Sequence, residues 1–268
     1  MKAKCLFENN FNIPKRISSQ VKSADCILLL LDYDGTIVPI QKTPDLANLS
    51  NSMRKLLISL LSQPNLVTGI VSGRSMKDIK EKVGIPYISY IANHGFEIQS
   101  GKFKWQHKIL DEIVPINRKL IMSLKQAFRN AEGVIIEDKG ITISIHYRNL
   151  KGMYIYDLKS IVKKIVIPYS SIIKVSGGKK VIEIKPRINW HKGKAIIELM
   201  KLLGLKNSPL IFYFGDDKTD EYAFRTLAAN CITVFVGNNR QTNANYYLND
   251  PKEVEIFLRK LNKILEKV

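Results

Sequence analysis

Ile27-Leu28-Leu29-Leu30-Leu31-Asp32-Tyr33-Asp34-Gly35-Thr36 runs from five consecutive apolar residues into two aspartates and a glycine. An apolar run of that length, with no polar alternation, predicts a strand buried on both faces, as in a parallel sheet covered by helices. Ligands of open α/β sheets bind at the carboxyl ends of strands, which is where Asp32 and Asp34 fall. Residues i and i+2 of an extended chain share a side, so the two carboxylates are expected together. Such a pair repels unless a cation or a shared proton compensates. One carboxylate can attack phosphorus while the other handles a proton. The competing reading is a turn whose aspartates bond local backbone.

Beyond this stretch the same rhythm repeats. Leu46, Leu49, Met53, Leu56, Leu57, Leu60 and Leu61 share a helix face; Pro64 stops it, and Leu66 to Val71 reads as the next strand. A polar helix from Ser75 to Lys82 and a strand from Tyr87 to Ala92 follow. After about residue 97 the pattern changes to helix, alternating strands, helix and two more strands, which predicts a separate α+β insert over 98–187. From His191 the first rhythm resumes, with a strand at Leu210 to Phe214, a helix at Glu221 to Ala229, a strand at Ile232 to Val236 and a helix from Pro251. The expected organisation is an α/β core of 1–97 and 188–268, its parallel sheet covered by helices on both faces, interrupted by the insert. Residues 1–24 read as an N-terminal extension.

The second acidic group is Gly215-Asp216-Asp217-Lys218-Thr219-Asp220-Glu221, again after a buried strand. Oxygen-rich clusters without His or Cys select hard cations, of which Mg²⁺ with phosphate is the common case. Helix capping accounts for some of these acids, but not for four in six positions. Ser72-Gly73-Arg74-Ser75 opens a helix where backbone N–H groups and a hydroxyl can hold an anion. Lys192 opens another, and a lysine there can neutralise a transferring phosphoryl group.

In this order Asp32-Tyr33-Asp34-Gly35-Thr36, Ser72, Lys192 and Gly215-Asp216-Asp217 resemble the four-motif series of haloacid dehalogenase (HAD) phosphatases. The insert lies between the second and third motifs, as in the subgroup with a large α/β cap. Ala92-Asn93-His94-Gly95, Glu137-Asp138-Lys139-Gly140, Ser144-Ile145-His146-Tyr147-Arg148, Gly178 to Pro186 and Lys192-Gly193-Lys194-Ala195 are similar to the trehalose-6-phosphate phosphatase family. The likeness runs from about residue 27 to 240. It implies a HAD-like Rossmannoid core with an α+β cap. It also implies a phosphomonoesterase that hydrolyses trehalose 6-phosphate, with a trehalose-6-phosphate synthase as pathway partner.

By the same resemblance Asp32 is the nucleophile, and Asp34 is the acid that protonates the leaving oxygen and later activates water. Asp32, the Asp34 carbonyl and Asp216 ligate Mg²⁺, with Asp217 and Asp220 in support. Ser72 and Lys192 bind the phosphoryl group. Arg74, Asn93, His94, Glu137, Arg148, Lys179 and Glu183 are the expected substrate contacts, Lys179 and Glu183 being the sugar-contacting pair. His146 reads as a packed histidine. His191 departs from the acidic or small residue usual before the Lys192 motif. Two rivals stand beside this reading: a phosphatase for sucrose 6-phosphate or a glycosyl-3-phosphoglycerate, and a silent HAD fold that senses sugar phosphates. The full carboxylate set argues against the second.

Composition sets bounds. The 268 residues carry 42 Lys plus Arg against 24 Asp plus Glu, a net charge of +18. The basic residues are dispersed, which argues against a nucleic-acid role. Between 98 and 185 stand 17 basic and 7 acidic residues, so that stretch of the insert holds +10 of that excess. A basic lid attracts a sugar phosphate; a solvated Lys-rich surface explains the same number. Cys5, Cys26 and Cys231 are odd in number and scattered, suggesting neither a disulfide framework nor a zinc site. No apolar run reaches the roughly 18 residues of a membrane span. Glu8, Asn9, Asn10 and Asn12 interrupt any secretory signal, and a cytoplasmic location is expected.

Overall fold

The computed structural model describes residues 3–178, 180–205, 209–227, 231–238 and 241–267. They form two compact units, one of residues 1–105 with 190–268 and one of 106–189. No helix of the described residues is long and apolar enough to cross a membrane.

The first unit is built on strand β2 (Ile27–Asp32), whose six residues are all buried. Ile27, Leu29 and Leu31 enter one hydrophobic cluster, and Leu28 and Leu30 enter another on the opposite face. Covering both faces is what removes the polar alternation, and each buried leucine contributes about 2 kcal/mol. Helices α1 (Lys15–Ser23), α2 (Asn51–Leu61), α3 (Met76–Val83) and α8 (Pro251–Leu265) cover the first face. Helices α6 (Lys192–Leu202) and α7 (Lys218–Leu227) cover the second. Serine caps start α2 and α3: Ser50 Oγ accepts from the Met53 amide and Ser75 Oγ from that of Asp78.

Around β2 stand β1 (Lys4–Cys5), β3 (Leu66–Val71), β4 (Ser89–Ala92), β5 (Glu97–Ser100), β6 (Phe103–Gln106), β11 (Leu210–Gly215), β12 (Cys231–Val236) and β13 (Tyr246–Leu248). Among the described residues they form one sheet of order β1-β13-β12-β11-β2-β3-β4-β5-β6. The pairings from β1 to β4 are parallel, and β5 runs antiparallel to β4. Phe214 lies opposite Leu31, and Asp32 opposite Val71. This register brings the carboxyl ends of β11, β2 and β3 side by side.

Two expectations about boundaries change. Strands β5 and β6 extend the core sheet, so the first unit continues to residue 105 rather than ending at 97. At four residues each they are too short to show the α/β rhythm. The N-terminal segment is integral to the core: β1 adds an edge strand, and α1 buries Ile17 and Val21 against the cluster that includes α8. Where the chain leaves and re-enters this unit, Trp105 and Trp190 stack with centroids 5.4 Å apart, and Trp190 Nε1 donates to the Gly95 carbonyl at 2.9 Å.

The second unit is a four-stranded antiparallel sheet of order β7-β8-β10-β9 (Ile135–Asp138, Ile143–His146, Val181–Pro186, Ile173–Gly178). Helices α4 (Leu110–Ala127) and α5 (Ile155–Val166) accompany it. Ile143, Ile145, Ile182 and Ile184 are buried, as are Leu120 and Leu124 of α4 and Leu158 and Val162 of α5. The intervening strand residues are polar, as alternation requires.

Candidate active site

The first-unit site is assembled from turns at strand carboxyl ends. Asp32, the last residue of β2, is 5% exposed. Its Oδ1 accepts from Lys192 Nζ at 2.7 Å, and its Oδ2 from Thr36 Oγ1 at 3.3 Å. Tyr33 turns the other way, buried, with its hydroxyl on the Ala47 carbonyl. Gly35 has φ +89°, and a Cβ there would overlap the Asp216 carboxylate. Only glycine lets the first acidic turn approach the second this closely.

Lys192, at the start of α6, is 3% exposed and also donates to Asp220 Oδ1 at 2.7 Å. The Tyr213 hydroxyl donates to that same oxygen. Asp220 Oδ2 takes the Asp216 and Asp217 amides, both at 3.1 Å. Four donors saturate the two carboxylate oxygens of Asp220, which makes it a brace for its neighbours. Asp32, Asp216 and Asp220 each place an oxygen within 4.8 Å of the others. Among the described residues no hydrogen bond reaches the Asp216 carboxylate. Asp217 lies outside this group: its Oδ1 accepts from the Thr219 amide and hydroxyl at 2.7 Å, capping α7.

Three carboxylates against one ammonium leave two negative charges uncompensated. The electrostatics follow. Burial pushes the Asp32 carboxyl well above the ordinary range, with Lys192 pulling the other way. Burial, Asp220 and Asp217 raise Asp216 to about 8. Asp220 is raised by burial as well. For Asp217, burial is outweighed by Lys192 and the Thr219 hydrogen bonds, which hold it low. A buried, oxygen-only cluster with surplus negative charge and an open carboxylate fits a hard divalent cation.

The Ser72 to Ser75 turn lies beside it. Ser72 is 1% exposed; its Oγ accepts the Arg74 amide at 3.1 Å, so its own hydroxyl hydrogen remains to donate. A Cβ at Gly73 would meet the His94 ring at 2.6 Å. Asn93 and His94 both hold positive φ, 51° and 57°, and their amides donate to the Arg74 and Ser72 carbonyls. Two successive non-glycine residues in that region store strain of about 1–3 kcal/mol each, a pattern found at functional sites. Asn93 is fully buried and serves this turn; His94 lies over it. Arg74 is buried and donates to Asp34, Asp78 and the Pro44 carbonyl.

In the second unit, register aligns Glu137, Ser144, Glu183 and Ser176 in one row across the sheet. Lys139 Nζ lies 3.7 Å from Glu137 and 3.9 Å from Glu183. His146 Nε2 is 2.9 Å from Glu137 Oε2, so His146 belongs to this polar face and is not a packed histidine. Arg148 instead lines a cavity of about 530 Å³ with Tyr147, Tyr154, Tyr156 and Lys180. Lys179 lies outside the described residues.

Sequence reasoning left Thr36, Tyr213 and Asp78 without a role, and it weighed Glu137 with Lys139 equally as a substrate contact and as a solvated sheet-edge pair. Tyr213 is indistinguishable from core in an apolar strand. His146 could have been found by strand parity, which puts it with Lys139 on the face of Glu137 and Glu183.

A family model described as trehalose-phosphatase matches residues 30–252. Trehalose-phosphate phosphatase B of Arabidopsis thaliana is 33% identical over 249 residues, covering 88% of this chain and 66% of its own. Probable trehalose-phosphate phosphatase E of the same plant is 33% identical over 249 residues, covering 88% and 70%. The chain thus spans about two thirds of the length of the curated relatives it matches. The solved C-terminal domain of a C. albicans trehalose-6-phosphate phosphatase shares the fold, with a TM-score of 0.78, 23% identity and 98% of each chain covered. The chain belongs to the trehalose-phosphatase family and is one of its HAD-fold enzymes.

Proposed function

We propose that this enzyme hydrolyses trehalose 6-phosphate to trehalose and phosphate through an aspartyl-phosphate on Asp32, with Mg²⁺ as cofactor. The observation that carries the reading is the setting of Asp32. It is a buried carboxylate at a strand's carboxyl end, gripped by Lys192 and Thr36, beside an Asp216 carboxylate to which none of the described residues donates.

In this reading an Asp32 oxygen attacks phosphorus, and the bond from phosphorus to the sugar oxygen breaks. Asp34 gives its proton to the departing oxygen. It then takes a proton from the water that attacks phosphorus, and phosphate leaves as Asp32 is restored. Lys192 and the Ser72 hydroxyl hold the phosphoryl oxygens, positioning and charge compensation being the greater part of phosphoryl-transfer catalysis. Asp32, Asp216 and the Asp34 carbonyl would hold Mg²⁺, which supplies positive charge against the phosphoryl group.

The core residues meet only phosphate, so choice of sugar falls to polar side chains able to bond hydroxyls. Glu137, Lys139, His146 and Glu183 form such a set on the second unit. That unit, residues 106–189, carries 16 basic and 7 acidic residues, a net +9 that favours an anionic substrate. A trehalose-6-phosphate synthase as pathway partner and a cytoplasmic location belong to the same proposal.

Phosphate release from a panel of sugar phosphates, with and without Mg²⁺, tests it. The expected outcome is metal-dependent release selective for trehalose 6-phosphate. Preference for sucrose 6-phosphate or a glycosyl-3-phosphoglycerate would discard the substrate and keep the chemistry; no release at all would favour a sensor.

A further inference from the structure

Arg74 holds Asp34 by two parallel bonds, Nε to Oδ2 at 2.7 Å and Nη2 to Oδ1 at 2.8 Å. The guanidinium is itself fixed from three other sides. Nη1 donates to Asp78 Oδ2 on α3 at 2.7 Å, Nη2 donates to the Pro44 carbonyl at 2.9 Å, and the group lies 5.4 Å from the Tyr33 ring centroid. Its backbone is fixed as well, the amide on Ser72 Oγ and the carbonyl on the Asn93 amide at 2.7 Å. The Asp34 side chain is 41% exposed and that of Arg74 only 9%. A buried, braced guanidinium therefore governs the rotamer of a carboxylate that solvent would otherwise leave mobile.

We infer that Arg74 is a positioning residue that sets the plane and direction of the Asp34 carboxyl for proton transfer, rather than a contact for substrate. The inference rests on the reading of Asp34 as the proton-transfer group. A planar fork fixes both oxygens of a carboxylate, whereas a lysine offers one charge without direction. The same side chain that joins the Ser72 turn to Asp34 thereby ties the anion site to the acid, across 40 positions of sequence.

The test is a double-mutant cycle of Arg74→Met with Asp34→Asn, on trehalose 6-phosphate and on p-nitrophenyl phosphate, whose leaving group needs no proton. Arg74→Met is expected to lower kcat on the sugar phosphate about 100-fold, the scale of a misplaced reacting group. KM should move less than about threefold, since uniform binding is untouched. The loss on p-nitrophenyl phosphate should be smaller, and there the double variant should be no slower than Asp34→Asn alone. Arg74→Lys should recover little, because the fork is lost.

Asp78→Asn, which loosens the far side of the guanidinium, should show a milder loss with the same leaving-group dependence. It carries the cycle with Asp34→Asn if Arg74→Met melts below assay temperature. A rise in KM with kcat unchanged would overturn the inference in favour of substrate binding. Additive losses in the cycle would overturn it in favour of a purely structural role. Full activity of Asp34→Asn on the sugar phosphate would instead sink the underlying reading of Asp34.

Discussion

Lys192 Nζ stands 2.7 Å from Asp32 Oδ1, joining residues 160 positions apart at the buried end of a parallel sheet. Their side chains are 4% and 7% exposed. Lys192 also holds Asp220 at 2.7 Å, so removing the lysine leaves two buried carboxylates without their cation. The pair therefore links the stability of the core to the chemistry of the site.

Lys192→Met should accordingly do two things. Turnover should fall about 100- to 1,000-fold, the effect of losing one group that stabilises transferring charge. The protein should lose about 3–5 kcal/mol, the cost of breaking a buried ion pair. Denaturant melts alongside kinetics check both; a variant that melts like the parent would show that Asp32 and Asp220 do not depend on the lysine.

Metal and pH should be coupled through the acidic cluster. Asp216 is raised from 3.8 to about 8 by burial and by Asp220 and Asp217. A group raised on folding favours the folded state fully below its ordinary pKa, and the benefit is lost as pH climbs through the raised value. Metal-free protein should thus lose stability between about pH 4 and about pH 8. Mg²⁺ should restore more at pH 8 than at pH 5, where protons compete. Thermal melts with EDTA and with Mg²⁺ at the two pH values measure this, and an equal gain at both would contradict the assignment of the cluster.

On the second unit, Glu183→Gln and Lys139→Met should lower kcat/KM for trehalose 6-phosphate about 10- to 100-fold each, as for hydrogen bonds to charged groups. Lys179→Ala should act in the same direction. Losses on p-nitrophenyl phosphate, which presents no sugar hydroxyls, should be much smaller. Parallel losses on both substrates would remove the polar row of Glu137, Ser144 and Glu183 from sugar selection.

Much of this was legible in the sequence because burial on both faces leaves a distinctive trace. Ile27 to Leu31 has no polar position, and Asp32 ends the strand where ligands bind. Asp216 and Asp220 follow the same logic after β11. What lay hidden depends on three-dimensional pairing. Strands β5 and β6 are too short for periodicity to separate from the insert. Tyr213 sits in a strand whose other residues are all core or glycine, so nothing marks its hydroxyl as a donor to Asp220. Asp217 resembles Asp216 in sequence, but the turn into α7 directs it to Thr219 as a cap. Arg74 lies in a turn whose sequence suggested anion binding, yet its guanidinium is directed to Asp34 by Asp78 and Pro44, residues whose proximity only the fold creates.

The proposed mechanism rests above all on covalent phosphorylation of Asp32. Enzyme mixed with p-nitrophenyl phosphate and Mg²⁺ can be acid-quenched within the first turnover, reduced with borohydride and mapped by mass spectrometry. Borohydride converts an acyl phosphate to homoserine. Homoserine is expected at position 32, more of it in Asp34→Asn, where the phosphorylated enzyme awaits an activated water, and none in Asp32→Asn. Reduction at another carboxylate, or steady turnover by Asp32→Asn, would contradict the mechanism.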